Sequence, residues 1–283
     1  MVKYAGVVLL LFLAGCSSAP KGPVETRSQR RMAVTQLEAA NKATDRGNYS
    51  EAFALINEAQ RFAVSADDSA LIIRVALSRG NILSYLNRAV EAQAAFDGAL
   101  AEADRIGDTE LAAVSRIYTA RRRLLGGGSN AEELRDQVRK DLSLIKKEQI
   151  ALALGWTVIG LAEKELGRWD DAERGIKNAQ DIHIKGGYLE LAAYDWYLIA
   201  SIRSVSGQYQ GALNALEEAL SYDRRTENTY GLGTDWKAMG DVYKKAGKGP
   251  AADIAYRRSA DIFRSIGMEK DALEVEERIG ADS

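Results

Sequence analysis

His183 is the sole histidine and Cys16 the sole cysteine of this 283-residue chain, and those two facts limit its chemistry from the start. One thiol excludes an internal disulfide, and one imidazole excludes any site built on two. His183 stands late in a helical run, AQDIHIKGG, where stabilisation of a helix end or plain exposure accounts for it. The acidic pairs Asp170-Asp171, Glu217-Glu218 and Glu276-Glu277 sit in regular helical segments and are expected to face solvent. None forms a paired-carboxylate site unless folding brings another carboxylate to it. Gly126-Gly127-Gly128-Ser129 lacks the lysine and the strand context of a phosphate loop, so it reads as a turn. Ser65-Ala66-Asp67-Asp68 is too sparse in oxygen donors for calcium. The expectation is a protein with no catalytic residues, no metal and no cofactor.

The rest of the composition points to helices. Hydrophobic residues make up 46% and charged residues 28%, a balance that supports a folded body rather than a disordered chain. The formal net charge is only -2, and no basic stripe marks the chain as a nucleic-acid binder. Three prolines, Pro20, Pro23 and Pro250, leave almost everything else free to be helical. From Arg31 onward, apolar residues and alanines recur at intervals of three and four, with no sustained alternation of the strand type.

Superimposed on that helical pattern is a period of 40 residues. Gly47, Gly127, Gly167, Gly207 and Gly247 share one phase, and Asn87 fills the missing place. Trp156, Trp196 and Trp236 fall on the helix before those turns; Ala52, Ala92, Ala172, Ala212 and Ala252 fall on the helix after them. Ile56, Phe96, Ile176, Leu216 and Tyr256 supply a large apolar side chain one turn later. Four residues past the bulky position comes a small one, Gly80, Ala120, Gly160, Ala200 or Gly240, where two backbones must approach closely. Each unit is thus two antiparallel helices joined by a turn, with Gly107, Gly187 and Gly267 marking the exits between units.

The last unit, GTDWKAMGDVYKKAGKGPAADIAYRRSADIF, carries Trp236, Gly240, Tyr243, Gly247, Ala252 and Tyr256 in order, and at this point the chain resembles the tetratricopeptide repeat family. Family units run to about 34 residues, so these are longer. The resemblance implies an all-α, right-handed α-solenoid of stacked hairpins over residues 33–283. The hairpins are expected at 33–64, 68–105, 108–146, 148–184, 188–224 and 230–266, with a closing helix at 268–280. The third is degenerate, with Arg116 at the tryptophan position and a widened turn from Leu125 to Asn130.

The N-terminus reads as an address. Residues 1–15, MVKYAGVVLLLFLAG, combine Lys3 with an apolar run shorter than the roughly 20 residues of a spanning helix, the layout of an export signal. Leu13-Ala14-Gly15-Cys16 resembles the bacterial lipoprotein signal motif, which implies that Cys16 becomes the first mature residue and carries acyl chains such as palmitate. The alternative is an ordinary secretory signal with Cys16 near its end. Residues 16–32, small, polar and proline-containing at their start, are expected to be a flexible tether. Ser17 after the cysteine resembles cargo passed to the outer membrane in enteric bacteria, which implies a lipid-anchored protein of the bacterial cell envelope facing the periplasm.

With tryptophans and glycines turned inward, another face of the first helices forms a concave wall. Its expected binding residues are Arg74, Asn81, Tyr85, Arg121, Lys164, Tyr194, Tyr197, Lys237, Asp241 and Lys244, interleaved with Leu77, Val114, Ile117, Thr157 and Leu161. Tyrosine and arginine offer contact area with a polar handle. The run Arg121-Arg122-Arg123 must splay over three directions, because helical neighbours stand about 100° apart. The family resemblance implies an adaptor or scaffold for envelope proteins or peptides, held to the membrane through its acyl chains, with no nucleic acid as partner. Two other readings stay open: a transporter-associated or solute-binding component with a small-ligand pocket, and a self-associating structural lipoprotein.

Overall fold

The computed structural model describes residues 28–127 and 130–280; the export signal, Cys16 and most of the expected tether lie outside them. The described residues form paired helices throughout: α1 Ser28–Asp45 with α2 Tyr49–Ser65, α3 Ser69–Tyr85 with α4 Ala89–Ile106, and α5 Thr109–Leu125 with α6 Ala131–Leu142. The second half repeats the pattern as α7 Gln149–Glu165 with α8 Trp169–Gly186, α9 Leu189–Val205 with α10 Tyr209–Thr226, and α11 Thr229–Lys245 with α12 Gly249–Ser265, before α13 Glu269–Glu276 closes the stack. Each helix packs on the next in chain order, giving the right-handed solenoid of hairpins that the family resemblance implied. The described residues open within α1 at Ser28, and Ser28 to Met32, the last five residues of the tether expected over 16–32, are helical. The physical reason is docking: Arg30 pairs with Asp68 at 2.8 Å, tying that turn to the start of α3.

The turns follow from left-handed residues. Gly47, Asn87, Gly127, Gly167, Gly207 and Gly247 all have positive φ, and at Gly167 and Gly207 the next residue's N–H returns to a carbonyl five residues back, as in Arg168 to Glu163 at 2.9 Å. The exits between hairpins form a second such series, in which Asp67 (φ 50°) and Glu227 (φ 54°) join Gly107, Gly187 and Gly267. Asp68, Asp108 and Asn228 then cap α3, α5 and α11 by accepting the N–H of Leu71, Leu111 and Gly231.

Packing inside each hairpin is set by the small residue facing the large one. A β-carbon on Gly80 would lie under 3.0 Å from the Phe96 ring, and those on Gly160 and Gly240 would meet Ile176 and Tyr256 just as closely. Ala52, Ala92, Ala172, Ala212 and Ala252 are buried beside them, and Trp156, Trp196 and Trp236 are half-buried against the same core. The third hairpin is held differently. Its second helix, α6, has only 12 residues, and Arg116 at the tryptophan position forms a 2.7 Å ion pair with the buried Asp141. Buried Glu163 collects Arg139 and Arg168 at 3.1 and 3.3 Å. The backbone after α6 is gathered by Glu110, whose carboxylate accepts the N–H groups of Lys146, Lys147 and Glu148.

Candidate concave binding site

Successive first helices touch one another, α1 with α3, α3 with α5, α5 with α7 and α9 with α11, which places them on the inside of the bend. The bend is tight enough for side chains to reach hairpins that are not neighbours. Arg74 on α3 pairs with Glu148 at the start of α7 at 2.5 Å. Arg121 on α5 comes within hydrogen-bond reach of the Tyr194 hydroxyl on α9. Tyr49 at the start of α2 meets Tyr230 at the start of α11, hydroxyl to hydroxyl at 3.4 Å. A β-carbon on Gly47 would strike the Tyr230 ring, so the turn of the first hairpin rests on the sixth. The concave wall is therefore curled into a lumen.

Tyrosines line it. Tyr49 stacks on Tyr85 with ring centroids 4.8 Å apart, and Tyr194 on Tyr197 at 6.0 Å. Between the two stacks lies Arg121, 3.4 Å from the Tyr85 hydroxyl. Burial pushes the Tyr197 phenol up to about 12 and raises Tyr194 as well, although Arg121 opposes the latter, so these rings stay neutral. At the end of α1, Asp45 has solvent access, yet the surrounding hairpins desolvate its carboxyl and Glu190 repels it, pushing its pKa up to about 6.

The other expected face residues divide. Asn81 is half-buried on α3, and Lys164 donates to Ser201 at 2.8 Å, its pKa lowered by burial. Lys237 and Asp241 turn toward the closing helix region: Lys237 pairs with Glu274 at 2.7 Å, while Asp241 accepts from Tyr256 and Arg278, each at 2.8 Å. Lys244 is exposed at the end of α11. The interleaved apolar residues Leu77, Val114, Ile117 and Leu161, with Thr157, are buried between helices and do not belong to the face. The arginine run splays as expected, with Arg121 into the lumen and Arg122 hydrogen-bonded to Gln93 on α4.

His183 departs from the expected exposure. It is buried, with Nδ1 2.6 Å from Asp195 Oδ2 across the seam between α8 and α9. One period later Asp223 and Asp235 occupy the same two places between α10 and α11. Burial raises both carboxyls, Asp223 to about 6 and Asp235 well above the usual range, with mutual repulsion adding to Asp235. The missed signal lay in the period: the other occupants of the two registers are apolar or small, as at Ala63 and Val75 or Ala103 and Ser115, which marks a core position. Tyr49 and Tyr230 were missed because nothing in one dimension says that hairpins one and six meet. Among the described residues no group of three or more histidine, cysteine, aspartate and glutamate side chains could hold a metal ion. No described helix is long and apolar enough to cross a membrane.

No known protein family matches the chain, and no curated protein does. Solved structures match over most of its length. A Rap protein complexed with competence and sporulation factor superposes with a TM-score of 0.61 at 12% identity, over 88% of this chain and 74% of that one. Aspartyl phosphate phosphatase F from Bacillus subtilis gives 0.59 at 12%, over 90% and 79%. PilW, a type IV pilus biogenesis factor, gives 0.51 at 16%, over 87% and 98%. At such identities the likeness is one of fold, and the fold of this chain is an all-α, tetratricopeptide-like repeat solenoid.

Proposed function

We propose that the protein is a non-catalytic adaptor that holds a protein segment in its tyrosine-lined lumen, anchored to the bacterial envelope through Cys16. The single observation that carries the binding reading is the aromatic interior itself. Tyr49, Tyr85, Tyr194 and Tyr197 present their rings on the inside of a solenoid whose first helices converge there. Tyrosine provides contact area at low entropic cost and a hydroxyl for orientation, the composition of protein-binding surfaces. The superposition on a Rap protein bound to competence and sporulation factor, and on a pilus biogenesis factor, supports a binding role for a solenoid of this kind. The anchor rests on the Leu13–Cys16 motif; fixing the adaptor to a membrane raises the effective concentration of partners in the same leaflet.

The test uses crosslinked envelopes and affinity capture, comparing the wild type with Arg121→Ala and Tyr197→Ala combined, and with Cys16→Ser. A partner lost from the lumen variant supports the adaptor. Transfer of Cys16→Ser to the soluble fraction supports the anchor. Equal recovery of all proteins by the lumen variant removes the binding reading, and membrane retention of Cys16→Ser removes lipid attachment at that residue.

A further inference from the structure

Glu190 and Tyr230 share one register, 40 residues apart, at the starts of α9 and α11, and those two first helices touch. The turn of hairpin one lies across both. Gly47 and Tyr49 meet Tyr230, while two residues before Gly47 the carboxyl of Asp45 comes within electrostatic reach of Glu190. Among the described residues no side-chain hydrogen bond or ion pair compensates Asp45 or Glu190. Glu110, two periods before Glu190, is by contrast satisfied by three backbone N–H groups. The other elements at this contact add charge of the same sign. Asp223 at the end of α10 is repelled by Glu190, and Asp271 on α13 acts on Tyr49. Lys42 and Arg46, beside Asp45 in the chain, are exposed, and the Arg224 cation acts on Asp235. Holding against the like charges are two rings and one 3.4 Å hydroxyl pair.

We infer that this contact is a proton-operated clasp: ionised Asp45 opposite Glu190 lifts hairpin one from hairpins five and six, and protonated Asp45 lets it seat. Opening rehydrates the carboxylate and parts it from Glu190, so the open form favours ionisation. Desolvation by the facing hairpins, then repulsion by Glu190, raise Asp45 to about 6 in the closed form, which therefore binds the proton more tightly than the open one. The advantage of closure is complete below about pH 4 and is lost as the pH rises through about 6. Full expression of that difference changes the closure equilibrium about a hundredfold; the solvent access of Asp45 screens it to about tenfold. Asp45 stands in the register of Tyr85 and Val205, at the ends of first helices, so the clasp sets how far the lumen opens whatever the lumen holds.

The experiment is single-molecule FRET on the full chain, in EDTA to keep divalent cations off the carboxylates. Dyes are placed at two exposed positions, Ser50→Cys in hairpin one and Ser221→Cys in hairpin five, with Cys16→Ser to keep the labelling specific. The expected result is a closed-to-open ratio that falls about tenfold between about pH 4.5 and 7.5, with helicity by circular dichroism unchanged. Asp45→Asn stays closed across the range, and Glu190→Gln keeps a smaller swing because desolvation of Asp45 remains. Tyr230→Ala is open at every pH, which fixes the signal of the open form. A wild-type ratio that does not change with pH, while Tyr230→Ala reads as open, overturns the clasp. A swing that survives Asp45→Asn also overturns it, and its disappearance in Asp235→Asn would then assign the pH response to the seam between α10 and α11.

Discussion

Gly80 shows how much a single atom decides in this chain. A β-carbon there would overlap the ring of Phe96, and one at Gly240 would overlap Tyr256, with both rings fully buried and unable to swing away. Gly80→Ala and Gly240→Ala are each expected to destabilise the fold by about 1–3 kcal/mol, the usual cost of overpacking, measured by urea denaturation. Gly107→Ala, where nothing lies near the added atom, carries only the strain of a left-handed φ of 70°, about 1 kcal/mol. These glycines and their large partners were legible in the sequence, because size complementarity repeats with the period. Asp67 and Glu227 in left-handed positions were not, since the turn register is imposed by the helices on either side and almost any side chain can be held there at a cost. Arg121 was legible as one of three adjacent arginines, but which of them enters the lumen depends on the helix phase relative to α3 and α9.

At the scale of elements, the seams between hairpins carry the pH dependence. His183 against Asp195 and Asp223 against Asp235 occupy equivalent positions at successive seams, all four buried. Asp195 Oδ1 has no hydrogen-bond partner, so His183 supplies the only donor its carboxylate has among the described residues. His183→Ala is expected to cost about 3 kcal/mol, because it strands that charge in the core, and to lower the melting temperature accordingly. For Asp223 and Asp235 the folded state binds protons more tightly than the unfolded chain. Their stabilisation is present in full below about pH 4 and is lost as the pH rises through about 6 and beyond. Asp235→Asn, which donates a hydrogen bond to Asp223 without needing a proton, is expected to raise stability at pH 8 by about 2–3 kcal/mol and to make little difference at pH 4. Urea midpoints across that range check the sign; a larger gain at the acidic end would contradict the raised carboxyl pKa values.

At the scale of the molecule, the sequence carried the solenoid but not its closure. The period gives helix boundaries and stacking order from local residues, whereas the angle between hairpins accumulates from small offsets at every seam and becomes visible only when Tyr49 meets Tyr230. That contact is slight, two rings and a 3.4 Å hydroxyl pair, so Tyr230→Ala is expected to leave helicity intact and open the curl. The measurement is small-angle X-ray scattering, with an increased radius of gyration as the expected outcome. Placing a photo-crosslinking benzophenone side chain at Tyr197, inside the lumen, and separately at Val90, 85% exposed on the second helix α4, tests the central claim most directly. In envelopes, the account predicts a discrete adduct with one protein from position 197 and none with that protein from position 90. Adducts formed equally from both positions, or from position 90 alone, would contradict a partner held in the lumen.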